Sequence, residues 1–71
     1  MPKKEAAEKA DKIDAAVIAG DLRMLDAQIR DAETLALQAG KLDEFRHHVN
    51  LKGSSLLVQA PRASAWLRSK L

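Results

Sequence analysis

The stretch from Asp21 to Ala39, DLRMLDAQIRDAETLALQA, constrains this chain more than any other. Leu22, Leu25, Ile29, Ala32, Ala36 and Ala39 recur at spacings of three and four, with Met24 and Leu35 on the flank, so an α-helix gathers them into one apolar stripe. The opposite side carries Arg23, Asp26, Arg30, Asp31, Glu33 and Gln38, and Asp26 to Arg30 is an acid-to-base pair one turn apart in the favourable order. A strand would scatter the same residues over both faces. The rest of the chain therefore has to supply a cover for one helical stripe.

The cover has little material. Of 71 residues, 46% are apolar, but 13 of them are alanine, and the only large aromatics are Phe45 and Trp66. At about 25 cal/mol per Å² of buried apolar surface, an alanine-lined core of this size is marginal. Self-association is the usual remedy. A two-fold dimer is expected through Leu22, Leu25, Ile29, Ala32 and Ala36. With no cysteine there is no disulfide to compensate, and thiolate metal sites are excluded.

The flanking segments are helical as well. Residues 4–19 begin with charges interleaved with alanine, including the pairs Glu5 to Lys9 and Glu8 to Lys12, and tighten into Ile13, Ala16, Val17 and Ile18. The first turns of that helix are expected to be solvated and frayed. Gly20 and Asp21 offer a C-terminal glycine followed by an N-cap, which predicts a corner; a single helix bent at the glycine is the rival reading. Ala39-Gly40-Lys41-Leu42 echoes Ala19-Gly20-Asp21-Leu22, as two helix ends built alike would.

A third helix is expected over residues 42–51, with Leu42, Phe45 and Val49 on one face. Asp43 and Glu44 open it and His47 and His48 lie near its end, matching the helix dipole, before Gly53 stops it. Pro61 predicts a break, because its ring would clash with the carbonyl of Leu57, and it fits as the first residue of a last helix over 61–70. Residues 56–59 then form a short turn or an extended piece. The fold expected is all-α: one small domain of three to four helices, completed by dimerisation.

Chemistry-bearing patterns are few. Glu44 and His47 have the Glu-x-x-His spacing that holds ions in di-metal bundles, with His48 and Asp43 close by, but there is one copy and it lies opposite Phe45 and Val49. It reads as a solvated helix end, with no metal and no cofactor. The serines lack any nucleophile context and no glycine-rich phosphate loop exists, so no catalytic residue is assigned and the protein is read as a non-enzyme. The turns at Gly20 and Gly40 have the small residue of a DNA-reading helix-turn-helix at Ala16 and Ala36. They lack its apolar positions, at Asp21 and Asp26 in one case and Lys41 and His47 in the other.

Charge is unevenly placed. The net charge is +2, but residues 1–40 carry −2 and residues 41–71 carry +4, with no acid after Glu44. Trp66 and Leu67 among Arg62, Arg68 and Lys70 have the make-up of an interface, an apolar centre ringed by cations; the other reading is that Trp66 closes a small core. The function expected is a small helical regulator or adaptor that binds a larger protein through those five residues. Phage or mobile-element inhibitors of host proteins are its general type. The alternative is a nucleic-acid binder using the basic C-terminal face. No signal peptide or membrane span is legible, so a cytosolic location is expected.

Overall fold

The structure, a computed structural model, describes residues 2–50, 52 and 54–71. Among them are four α-helices: α1 (Pro2–Ala19), α2 (Leu22–Gln38), α3 (Leu42–Val49) and α4 (Leu56–Lys70). α1 starts two residues before the expected Lys4, with proline in its first turn, where a missing amide costs nothing. α3 ends at Val49, and the expected stop at Gly53, like Leu51, lies outside the described residues.

Both glycine corners are real and share one backbone design. Gly20 has φ +69° and Gly40 φ +73°, left-handed values that a Cβ would strain. At the first corner the amide of Asp21 donates to the carbonyl of Ala16 and that of Gly20 to Val17. At the second, Lys41 donates to Ala36 and Gly40 to Leu37. This double closure absorbs the last carbonyls of α1 and α2. The two starts that follow differ: the Asp21 carboxylate accepts the Met24 amide at 3.0 Å, whereas Lys41 has no side chain able to cap α3. Its ammonium instead reaches the carbonyl of Lys70, 3.0 Å away, and ties α3 to the end of α4.

The expected break at Pro61 is not there. Ser55 caps α4, its side chain accepting the Val58 amide, and the helix runs through Pro61 to Lys70. Pro61 is only the sixth helical residue, so its ring meets little preceding helix and removes a single amide, the partner of the Leu57 carbonyl. Leu57 and Pro61 lie on the exposed side, where water can take that carbonyl. The apolar row Leu56, Ala60, Ala63, Leu67 and Leu71 passes uninterrupted beneath.

α4 packs antiparallel along α1, the most extensive helix pair in the molecule, and also meets α2 and α3. Among the described residues fourteen apolar side chains are buried, seven of them alanines: Ala6, Ala10, Ala16, Ala32, Ala36, Ala60 and Ala63. Between these small contacts Ile13, Leu25, Ile29, Phe45, Val49, Trp66 and Leu67 fill the interior. Trp66 meets Phe45 edge to face, 5.1 Å between centroids, and its indole N–H donates to Glu44 at 3.1 Å.

This packing corrects the expected dimer seam. Leu25, Ile29, Ala32 and Ala36 are buried within one chain, and of the five residues named for self-association only Leu22 is exposed. The expectation assumed that two short neighbours must cover α2. α4 is 15 residues long rather than a single short segment, and with α1 and α3 it covers the stripe. The radius of gyration, 10.8 Å, is about that of a compact domain of this length, ~11 Å from the scaling with chain length.

Candidate functional site

Of the five residues expected to form a partner surface, Arg62, Trp66 and Lys70 line one groove between α3 and α4, whereas Leu67 lies in the core and Arg68 turns toward α1. Trp66 is 4% exposed and Leu67 is fully buried, so both belong to the core and offer a partner little apolar area. Arg68 is turned toward α1, where its guanidinium donates to Asp11 at 2.7 Å and Asp14 at 2.9 Å. The acids missing from the C-terminal sequence come from the N-terminal helix. Arg62 and Lys70 remain on the outside and make no ion pair among the described residues.

Arg68 completes a polar lattice across the α1/α4 seam. Ser64, buried in that seam, has its hydroxyl 2.6 Å from an Asp14 oxygen and 3.0 Å from the Ala10 carbonyl, and with one proton to give it serves one acceptor at a time. Burial pushes the Asp14 carboxyl up. Hydrogen bonds from Ser64 and Arg68, with the Arg68 charge, outweigh that and hold it below the ordinary carboxylate value. The same bonds, to Asp14 and then Asp11, hold the Arg68 guanidinium even more firmly protonated. Among the described residues no buried side-chain nitrogen or oxygen lacks a partner.

Two turns along the same seam the picture changes. Val17 and Ile18, in the last turn of α1, face Leu57 and Pro61 in the first turns of α4 across an open groove of about 420 Å³, with Asp14 at one edge. Ile18 is 87% exposed and Leu57 56%, with Val58 beside it at 45%. Leu22 is also exposed, one turn beyond Ile18 and around the glycine corner. The reason is local. The corner at Gly20 turns the chain into α2, which packs against α1, and among the described residues no helix covers the outer side of Ile18.

A second groove, about 260 Å³, runs between α3 and α4 and is lined by His48, Arg62, Ala65, Trp66, Ser69 and Lys70. On α4 these residues repeat at spacings of three and four, so they form a continuous outer stripe. His47 and His48 are exposed on α3, with their rings edge to face 5.6 Å apart. No group of three His, Asp or Glu side chains that could hold a metal is present among the described residues, and none of their helices is long and apolar enough to cross a membrane.

Sequence reasoning missed the apolar groove because Val17 and Ile18 adjoin the true core residues Ile13 and Ala16. The wheel position of Ile18, about 140° from Ile13 at 100° per residue, was the available signal. In comparisons with protein-family models, curated proteins and solved structures, nothing matches this chain, so its surface chemistry is what speaks for its function.

Proposed function

We propose that this protein is a non-enzymatic helical adaptor or regulator that works by seating an apolar helix of a larger protein in the α1/α4 groove. The observation carrying this reading is the exposure of Val17, Ile18 and Leu57 around one groove, in a bundle whose own core is already covered. Two antiparallel helices with a groove between them accept a third helix in the way a bundle adds a member, and the partner's apolar side chains would enter at successive turns. A standard interface takes about 800 Å² from each partner, on the order of a sixth of this molecule's 4624 Å² surface. One end of the bundle is enough for that. Inhibition by covering a working surface of the partner is the regulatory form that so small a body suits best.

The basic C-terminal face supports nucleic-acid binding less well, because Asp11 and Asp14 neutralise Arg68 and the indole of Trp66 is buried against Phe45. The test places a photo-crosslinking residue at position 18 or 57 and, as a control, at exposed Thr34, in the source cell. A protein captured from 18 and 57 but not from 34, and lost in the Ile18→Asp/Leu57→Asp variant with an unchanged melt, supports docking. Capture indifferent to that variant ends it. Crosslinking to a second copy of the chain would make the groove a self-association seam.

A further inference from the structure

Building on the docking reading, we propose that the α3/α4 groove is a second contact that takes an acidic helical segment of the partner protein, with Arg62 and Lys70 as its two anchors. The groove is lined by His48, Arg62, Ala65, Trp66, Ser69 and Lys70, with no acid among them. Among the described residues Arg30, Arg46, Arg68 and Lys9 each pair with a carboxylate of the bundle; Arg62 and Lys70, like Lys12, Arg23 and Lys52, do not, but these two line the same groove. Stability does not explain Arg62. It sits in the second turn of α4, nearer the positive end of the helix dipole, where a cation gains nothing.

The spacing of the anchors selects the occupant. Arg62 and Lys70 are eight residues apart on one helix, a rise of about 12 Å, and Ala65 between them leaves a low floor. A partner helix lying along the groove would present carboxylates to both if its acids are seven or eight residues apart. Ser69 and the His48 imidazole add further hydrogen-bonding groups to the lining. The floor is fixed, because Trp66 is held by Phe45 on one side and by Glu44 at its N–H, and Lys41 ties down the Lys70 carbonyl.

The same features disfavour a phosphate backbone. Nucleic-acid binders typically neutralise about 6–10 phosphates, whereas this groove has two unpaired cations, and Glu44 stands one hydrogen bond from its floor. A polyanion carries charge at every step and would meet Glu44; a peptide can place a neutral residue there. The buried indole has no free face on which a base could stack.

The test takes as bait the full chain carrying Ile18→Asp and Leu57→Asp, which removes the apolar groove, and selects binders from a randomised library of helical peptides. Acidic residues should be enriched at pairs of positions seven or eight apart. The selected peptides should bind at least tenfold more weakly once Arg62→Glu and Lys70→Gln are added, with the circular dichroism melt unchanged. They should also outcompete a 12-base-pair DNA duplex. Selected peptides without acidic pairs, or with affinity indifferent to the added substitutions, would overturn the proposal. A duplex that displaces them with a steep salt dependence would assign the groove to nucleic acid instead. The docking reading fails separately, through crosslinking at positions 18 and 57, so a negative selection with successful crosslinking removes only the acidic contact.

Discussion

The two ends of the α1/α4 seam are made by the same pair of helices and treated in opposite ways. Around Ser64 the seam is closed by a lattice that uses Asp11, Asp14 and Arg68 on one another. Two turns away Val17, Ile18 and Leu57 are left to solvent. Shortage of apolar residues does not explain the difference. The core fills seven of its positions with alanine while a β-branched pair that would bury far more area per residue stands outside. Stability alone would place Ile18 inward and an alanine outward. The placement is what supports the proposed docking at this end of the seam.

The largest expected effect compares two isoleucines of α1. Ile13 is fully buried, so Ile13→Ala should cost about 2–5 kcal/mol through lost transfer energy and a residual cavity. Ile18→Ala should stay within about 0.5 kcal/mol, as surface changes usually do. Urea titrations of both variants decide it: a large loss at Ile18 would mean that the open end is part of the fold and would break the contrast.

Next is the lattice itself. Ser64→Ala removes the buried hydroxyl from Asp14 and Ala10 and should cost about 1–3 kcal/mol, because the acceptors are left short of a donor. Double substitution with Asp14→Ala should cost less than the two singles added together, since they share one interaction. Strict additivity would show that the lattice is decorative.

The acid side gives a smaller effect with a definite sign. Asp14 is held below the ordinary aspartate value, near 3.8, so its contribution to stability is complete above that pH and is lost as pH falls below it through the lowered folded value. Thermal melts between pH 6 and pH 2 should therefore drop on the acid side less steeply in Arg68→Ala than in the wild type. Arg68 stays charged throughout and adds no step of its own. Parallel curves would remove Arg68 from the coupling. The smallest change is expected for Ile18→Asp/Leu57→Asp without any partner, whose melt should follow the wild type while binding of a hydrophobic dye decreases.

Much of this architecture was readable beforehand. Periodicity located α1, α2 and α3 to within a few residues, and the repeated Ala-Gly phrase marked two corners that share their closing hydrogen bonds. The expected break in α4 and the expected dimer seam share one origin, the treatment of Pro61 as a wall. Ala60, Ala63, Ser64 and Leu67 already follow helical spacing across it, and a helix from Leu56 would have put Trp66 and Leu67 inside and covered the α2 stripe without a second copy. The partners of Arg68 were less accessible to sequence reasoning. Asp11 and Asp14 lie 57 and 54 residues away, and only the antiparallel pairing of α1 with α4 brings them near. The exposed groove was hidden because a run such as Val17-Ile18 looks the same whether it is core or contact surface.

The pairing of α1 with α4 also governs how this protein can be made. α1, α2 and α3 precede α4 in the chain, yet the core face of α1 is completed only by α4, its most extensive partner. At about 5–20 residues per second the first helix waits several seconds with part of its apolar side uncovered. Closure then comes in one late step, when Ser64 and Arg68 arrive opposite Asp14. A ribosome-stalled chain ending near residue 60 should therefore be protease-sensitive throughout, and resistance should appear all at once when α4 has cleared the tunnel.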